Sequence, residues 1–326
     1  MDQPTEFRFK VLEEQFGTYS QYKLSDSKTG EYVSILPHLG GAVNEMTINK
    51  DGRSISILDG YKSIDDVKQN LESSFKGSNL FPYPNRIADA KYSFEGNDYT
   101  LPMNFPHENN AIHGLVYKRH FDVIEHENGD IGCKFFIKYM IEEGTEGYPF
   151  KCMLEISYKL HIDKGFECTT KIMNMDDRHI PFGHGWHPYF LLGDSTIDDL
   201  WLQFPAEHKL EVDQRGIPTG SSEKYSKFNK LNQIKDTALD SCFLLENTDQ
   251  PAEIILLDKT LGTGYTIWQQ RGINKYNYLQ IYTPPARKSI AIEPMTCAPN
   301  VFNNGKGLIS LSPLEQVSIS WGIRKL

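Results

Sequence analysis

A chain of 326 residues with 39% hydrophobic and 12% aromatic side chains, including 17 Tyr and 18 Phe, can bury a sizeable core and is too apolar for bulk disorder. Its formal charge of −9 argues against a general nucleic-acid or anionic-membrane binder, which needs a basic surface to attract phosphate; a neutral ligand fits better. No apolar run is long enough to span a bilayer, and Met1 to Lys10 shows no basic segment followed by an apolar core, so neither a membrane partner nor a secretory leader is expected.

The first part of the chain alternates short β-prone runs with turn residues: Phe7–Leu12, Tyr19–Ser25, Glu31–Leu36 and Val43–Ile48. Ser27-Lys28-Thr29-Gly30 and Lys50-Asp51-Gly52 are hairpin signals between and after them. Tyr61 to Phe75 is the one convincing amphipathic helix. Ile64, Val67 and Leu71 fall on one face, and Ser63 followed by Asp65 and Asp66 makes a favourable N-terminus, for a segment that packs or covers a cleft. Gly77 to Arg86 is rich in Pro and Asn and reads as a fixed, site-lining loop, with Arg86 either facing a site or pairing with Asp89 at the surface.

A hairpin follows from Tyr92 to Leu101 across Gly96-Asn97, then a polar loop to Asn110 that leads into Ala111-Ile112-His113-Gly114. A His directly before Gly at a loop-to-strand junction is placed to present its ring to a pocket. The middle is two long hairpins, Phe121–His126 with Ile131–Ile141 and Cys152–Ile162 with Phe166–Asn174, and alternation in Phe150–Leu160 predicts one buried and one wet face.

Gly183 to Leu192 sets His187 in an aromatic, otherwise apolar strand with Trp186, Tyr189 and Phe190, which reads as one wall of a small-molecule cleft whose rings suit the C–H faces of a sugar. His184 and His187 are three apart; in an extended segment they point to opposite faces, and Pro188 discourages the helix that would join them on a metal. Beyond lie Leu200–Phe204, Lys209–Val212, a Lys/Ser-rich stretch to Lys230 that reads as a surface loop, Asp240–Leu245, Glu253–Leu257 and Tyr265–Gln269. Tyr278–Thr283, Ser289–Ile292 running into Glu293-Pro294, and Val317–Ile323 close the chain.

Evenly spaced strands, one helix and no linker predict an all-β protein, a large antiparallel β-sandwich with few short helices, forming a single domain over residues 1–326. Cys133, Cys152, Cys168, Cys242 and Cys297 are widely spaced with no C-x-x-C pair, which fits free thiols in a reducing cytoplasm.

Asn85-Arg86-Ile87-Ala88 running into Lys91 to Gly96, Asn110 to Gly114, His187-Pro188-Tyr189-Phe190, Leu239-Asp240 with Phe243, and Ala291-Ile292-Glu293-Pro294 together resemble the aldose 1-epimerase (galactose mutarotase) superfamily, over roughly residues 35 to 325. The resemblance implies a β-supersandwich with an open cleft and an enzyme that interconverts the α and β anomers of a free aldose, with no cofactor and no metal. It implies Glu293 as base, His187 as acid and His113 as stabiliser of charge on the sugar oxygens, with Arg86 and Asp240 fixing hydroxyls. Trp186 and Tyr189 are expected to supply apolar sugar contacts. Ordinary pKa values of about 4.3 for Glu and about 6.5 for His predict upward tuning of both groups for work near neutral pH.

Two segments depart from the usual galactose mutarotase pattern, Leu115 to Lys118 after His113-Gly114 and Gly-His-Gly-Trp before His187, and both bear on which sugar is taken. Arg86, Lys118, Arg119 and Arg287 could instead hold the phosphate of a hexose 6-phosphate. A noncatalytic sugar-binding protein would use Trp186 and Tyr189 without needing an acid and a base, and a glycoside hydrolase on Asp240 and Glu293 would need a set carboxylate separation. The expected partner is a small monosaccharide, taken by a monomer or weak homodimer.

Overall fold

The computed structural model describes residues 6–326, so the first half of the Met1–Lys10 stretch lies outside the described residues. The fold is built from two large antiparallel sheets and a five-stranded meander. The meander, Phe9–Phe16 to Arg53–Ser56, pairs its strands in sequence order and lays Tyr22 on Phe135 of the adjoining sheet at 4.4 Å between ring centroids. Its last turn carries Asp51 and Gly52 at positive φ, the left-handed pair that a tight hairpin requires.

The nine-stranded sheet contains the two long central hairpins. In Cys152–His161 and Gly165–Asn174 burial alternates residue by residue, as the sequence pattern requires of a sheet with one core face. The final strand, Gln316–Lys325, inserts between Gly165–Asn174 and Thr263–Gln269, so the end of the chain lies in the middle of this sheet.

The second large sheet runs Pro218–Lys224, Ala206–Val212, Asp240–Leu245, Tyr278–Tyr282, Ile290–Met295, Gly185–His187 and Ser78–Leu80, with Tyr189–Phe190 also on Ile290–Met295. Pro188 splits the aromatic run into two short strands, because it cannot donate to the ladder. Pro218–Lys224 corrects the end of an expected Gly/Pro-rich turn at Arg215–Gly220 and the first part of the expected surface loop, which holds only from residue 225: it is an edge strand paired with Ala206–Val212, and with six of its seven residues exposed it carries no apolar alternation to be read.

The inner faces of the two large sheets meet in one continuous apolar cluster, with Trp186 of the second sheet 6.0 Å from Trp321 of the first. Trp186 is fully buried and also packs edge-on to Tyr158. This overturns its expected role in sugar contact: side chains alternate along a strand, so Trp186 faces the core because His187 faces outward. Trp186→Ala is therefore expected to cost about 3–5 kcal/mol of stability. Denaturant unfolding checks this; an unchanged midpoint together with weakened sugar binding would return Trp186 to the cleft.

Candidate active site

The outer face of the second sheet is assembled by register. Cys242 lies opposite Gln280, Gln280 opposite Glu293, Asp240 opposite Tyr282, and Met295 opposite Gly185. Opposed residues share a face and so do residues two apart, which collects Asp240, Gln280, Tyr282, Glu293 and His187 on one side of four neighbouring strands. Tyr189 joins them opposite Ala291.

Two loops and the helix complete a cavity of about 170 Å³ over this face. Helix Ile64–Ser74 starts at Ser63, whose hydroxyl caps the Asp66 amide, and ends at Phe75 in left-handed geometry. That ending swings the Phe75 ring over the site, 4.6 Å from the His113 ring and 6.4 Å from that of His187. Asn85 and His113, both at positive φ, grip each other: the His113 amide donates to the Asn85 carbonyl and the Asn85 amide to His113 Nδ1 at 3.2 Å. A neutral ring that accepts at Nδ1 carries its proton on Nε2, as a donor. Gly114, at φ +73°, follows because a Cβ there would come within 2.2 Å of the Phe81 carbonyl oxygen.

His187 Nε2 lies 3.4 Å from Glu293 Oε1, with both side chains almost fully buried. His187 Nδ1 and Glu293 Oε2 are buried without a hydrogen-bond partner, polar atoms for a ligand to satisfy. The His187 ring stacks on Tyr189 at 5.0 Å and meets His113 edge-on at 5.0 Å. Burial pushes the Glu293 carboxyl well above its ordinary range, with the charge of Asp240 adding to the effect. Burial moves His187 the other way, down to about 4, and drives His113 well below its usual value, helped by His187 and Arg86. The expected upward tuning of both partners thus holds for Glu293 and reverses for His187, because desolvation disfavours charge and an imidazole is charged when protonated.

Asp240 sits at the rim, its Oδ1 accepting from Gln280 Nε2 at 2.8 Å. Arg86 reaches the cavity but pairs with Glu108, through Nε at 2.6 Å and a terminal nitrogen at 3.2 Å, rather than with Asp89, which Arg215 takes at 2.9 Å. The structure therefore gathers Glu293, His187, His113, Arg86, Asp240 and Tyr189 around one cavity and leaves Trp186 outside it. His184 is held away from the cavity between Asn79 Oδ1 and the Tyr276 hydroxyl. Gln280, Phe75 and Glu108 are new to the site. Gln280 had one sequence signal, a lone amide in the apolar strand Tyr-Leu-Gln-Ile-Tyr, and Phe75 had the reading of its helix as a segment that packs or covers a cleft; Glu108 had none.

Among the described residues no three His, Cys, Asp or Glu side chains cluster as a metal site, and no helix is long and apolar enough to cross a membrane. All five cysteines are buried free thiols.

The chain belongs to the aldose 1-epimerase family, whose profile matches residues 21–323. It is 29% identical over 287 residues to the uncharacterized Escherichia coli protein YihR, covering 86% of each chain, and 23% identical to the aldose 1-epimerase of Streptococcus thermophilus, covering 92% of each. A galactose mutarotase-like protein from Clostridium acetobutylicum has the same fold, with TM-score 0.86 at 21% identity over 98% of this chain and 99% of that one.

Buried neutral histidines also set a pH dependence of stability. His184, pushed down to about 3 by burial, binds its proton far more weakly when folded than when unfolded, where its pKa is about 6.5. Its contribution is fully present above the unfolded value and is lost as pH falls from there towards the folded one. Glu293, with a raised folded pKa, acts in the opposite sense and offsets part of the loss. The melting temperature of the wild type is expected to drop more between about pH 7 and pH 5 than that of His184→Gln. Equal drops would clear His184 of any part in acid lability.

Proposed function

We propose that the protein is an aldose 1-epimerase that interconverts the anomers of a free aldohexose by acid–base ring opening and closure. The buried contact between His187 and Glu293, each left with an unpartnered polar atom beside a cavity of about 170 Å³, carries this reading. Glu293 as carboxylate takes the proton of the anomeric hydroxyl while His187 as imidazolium gives one to the ring oxygen; the C1–O5 bond breaks and C1 becomes an aldehyde. Rotation about C1–C2 turns the other carbonyl face to the C5 hydroxyl. Reclosure returns the proton from C5–OH to His187 and that of Glu293 to the new anomeric oxygen, so both groups end as they began.

The pKa directions suit this cycle. Burial penalises charge on either group, so the pair holds one proton between its members, and the ion-paired form is the one that starts ring opening. The raised Glu293 makes a stronger base and the lowered His187 a stronger acid than either is in water. His113, kept neutral with its proton on Nε2, donates to a sugar oxygen as charge builds there. Asp240, Gln280 and Arg86 hold the remaining hydroxyls, and Phe75 and Tyr189 offer apolar faces to the ring. We read the described chain as one domain and the cycle as needing no cofactor, since each proton taken is returned.

Exchange NMR on freshly dissolved α-glucose and α-galactose tests the reading. Wild type is expected to accelerate anomer exchange, and Glu293→Gln and His187→Ala each to lose about 10²–10⁴ in kcat with the fold intact. A variant that keeps a near-normal rate would remove its residue from the mechanism. Saturable sugar binding with no acceleration by wild type would make the protein a sugar binder instead.

A further inference from the structure

A second compartment of about 210 Å³ adjoins the catalytic cavity and shares Asn85, Arg86, Asp240 and Gln280 with it as a common wall. Its far side is Glu108 and the turn 213–216. Among the described residues lining either compartment, Arg86 is the sole Arg or Lys, against the acids Glu108, Asp213, Asp240 and Glu293. Of the other cations that could have served a phosphate, Lys118 pairs with Glu72 and Arg287 with Asp198, and Arg119 is exposed and lines neither compartment.

Arg86 is itself committed. Two of its five N–H donors go to the Glu108 carboxylate and a third leans on Asn85 Oδ1 at 3.5 Å. Phe105 lies under its guanidinium, and Gly216 touches it so closely that a Cβ there would come within 2.8 Å of the central carbon. Glu108 is equally fixed. Its carbonyl accepts from Arg215 Nε at 2.9 Å, and Arg215 also holds the Asn109 carbonyl and Asn110 Oδ1. The Asn110 amide leans on the Glu108 carboxylate in turn, at 3.5 Å.

We propose that Glu108 is a specificity-determining residue: by clamping Arg86 in a two-point pair it removes the one cation an anionic sugar could use, and the cleft selects uncharged aldoses. The two donors Arg86 has left can reach hydroxyls, which need no net charge. A phosphate or carboxylate on the sugar would face Glu108, Asp213 and Asp240 with its counter-ion already neutralised, and breaking the pair would strand Glu108. This inference rests on the sugar-binding part of the proposed function and weakens the hexose-phosphate alternative.

The test uses 1,5-anhydroglucitol, which has no anomeric hydroxyl and cannot open, so binding is measured apart from turnover. Its monophosphates at C3, C4 and C6 are compared by calorimetry with the O-methyl ethers at the same positions, which add bulk without charge. Wild type is expected to bind at least one phosphate at least tenfold more weakly than the matching ether, about 1.4 kcal/mol. In Glu108→Gln that ratio shrinks tenfold or more. In Asp213→Asn, which removes a charge from the same wall but leaves Arg86 paired, it shrinks less than threefold, and in Arg86→Gln/Glu108→Gln the gain disappears. Phosphates that bind wild type as well as their ethers overturn the proposal without any variant having to fold. An unchanged ratio in Glu108→Gln, or an equal gain in Asp213→Asn, overturns it too. Anomer exchange on glucose, measured alongside, reports on the proposed reaction independently.

Discussion

The pairing of Gln280 with Glu293 and of Gly185 with Met295 fixes which side of the second sheet holds the polar groups, and the rest of the site is arranged around that register. A slip of one residue in Ile290–Met295 would turn Glu293 into the core and Ile292 and Pro294 outward, exchanging a polar face for an apolar one. The inner face prevents this. Ile281, Ile292 and Trp186 are all fully buried in the cluster between the sheets, so the apolar side of each strand holds its polar side in place.

That arrangement puts ionisable groups where ionisation is costly, and their properties follow. His187 and Glu293 lie side by side almost fully buried, where a charged pair is penalised by desolvation and a neutral pair is not. Stability thus gains little from the contact, which supports the proposed role of the two groups in proton transfer. Arg86 and Glu108 differ from this pair. They lie part-way to solvent, with two-point geometry, a flanking hydrogen bond from Arg86 to Asn85 Oδ1 and one from the Asn110 amide to Glu108, and can stay ionised.

The helix and the loops act on the site through backbone geometry. Phe75 ends its helix in left-handed geometry and so turns its ring back over the two histidines. Asn85 and His113 take the same rare conformation and lock each other, which fixes the proton of His113 without any acidic partner. None of these three positions is a glycine, so each bears local strain that the surrounding contacts must offset.

Alternation, turn residues and a capping Ser63 are short-range signals, and they suffice for the strands, for the helix from residue 64 and for an all-β architecture, because hydrogen-bonded ladders and apolar faces repeat every two residues. The motif segments around Arg86, His113, His187, Asp240 and Glu293 likewise mark candidate groups from sequence alone. What the sequence could not set is which face each strand shows to which neighbour: Trp186 and His187 are adjacent and equally suggestive, yet one fills the core and the other the cleft. Nor could it pair Arg86 with Glu108, 22 residues away, bring Gln280 opposite Glu293, or decide that burial lowers His187 while raising Glu293. Those outcomes depend on long-range register and on the dielectric of the assembled interior, and both exist only once the two sheets have closed on each other.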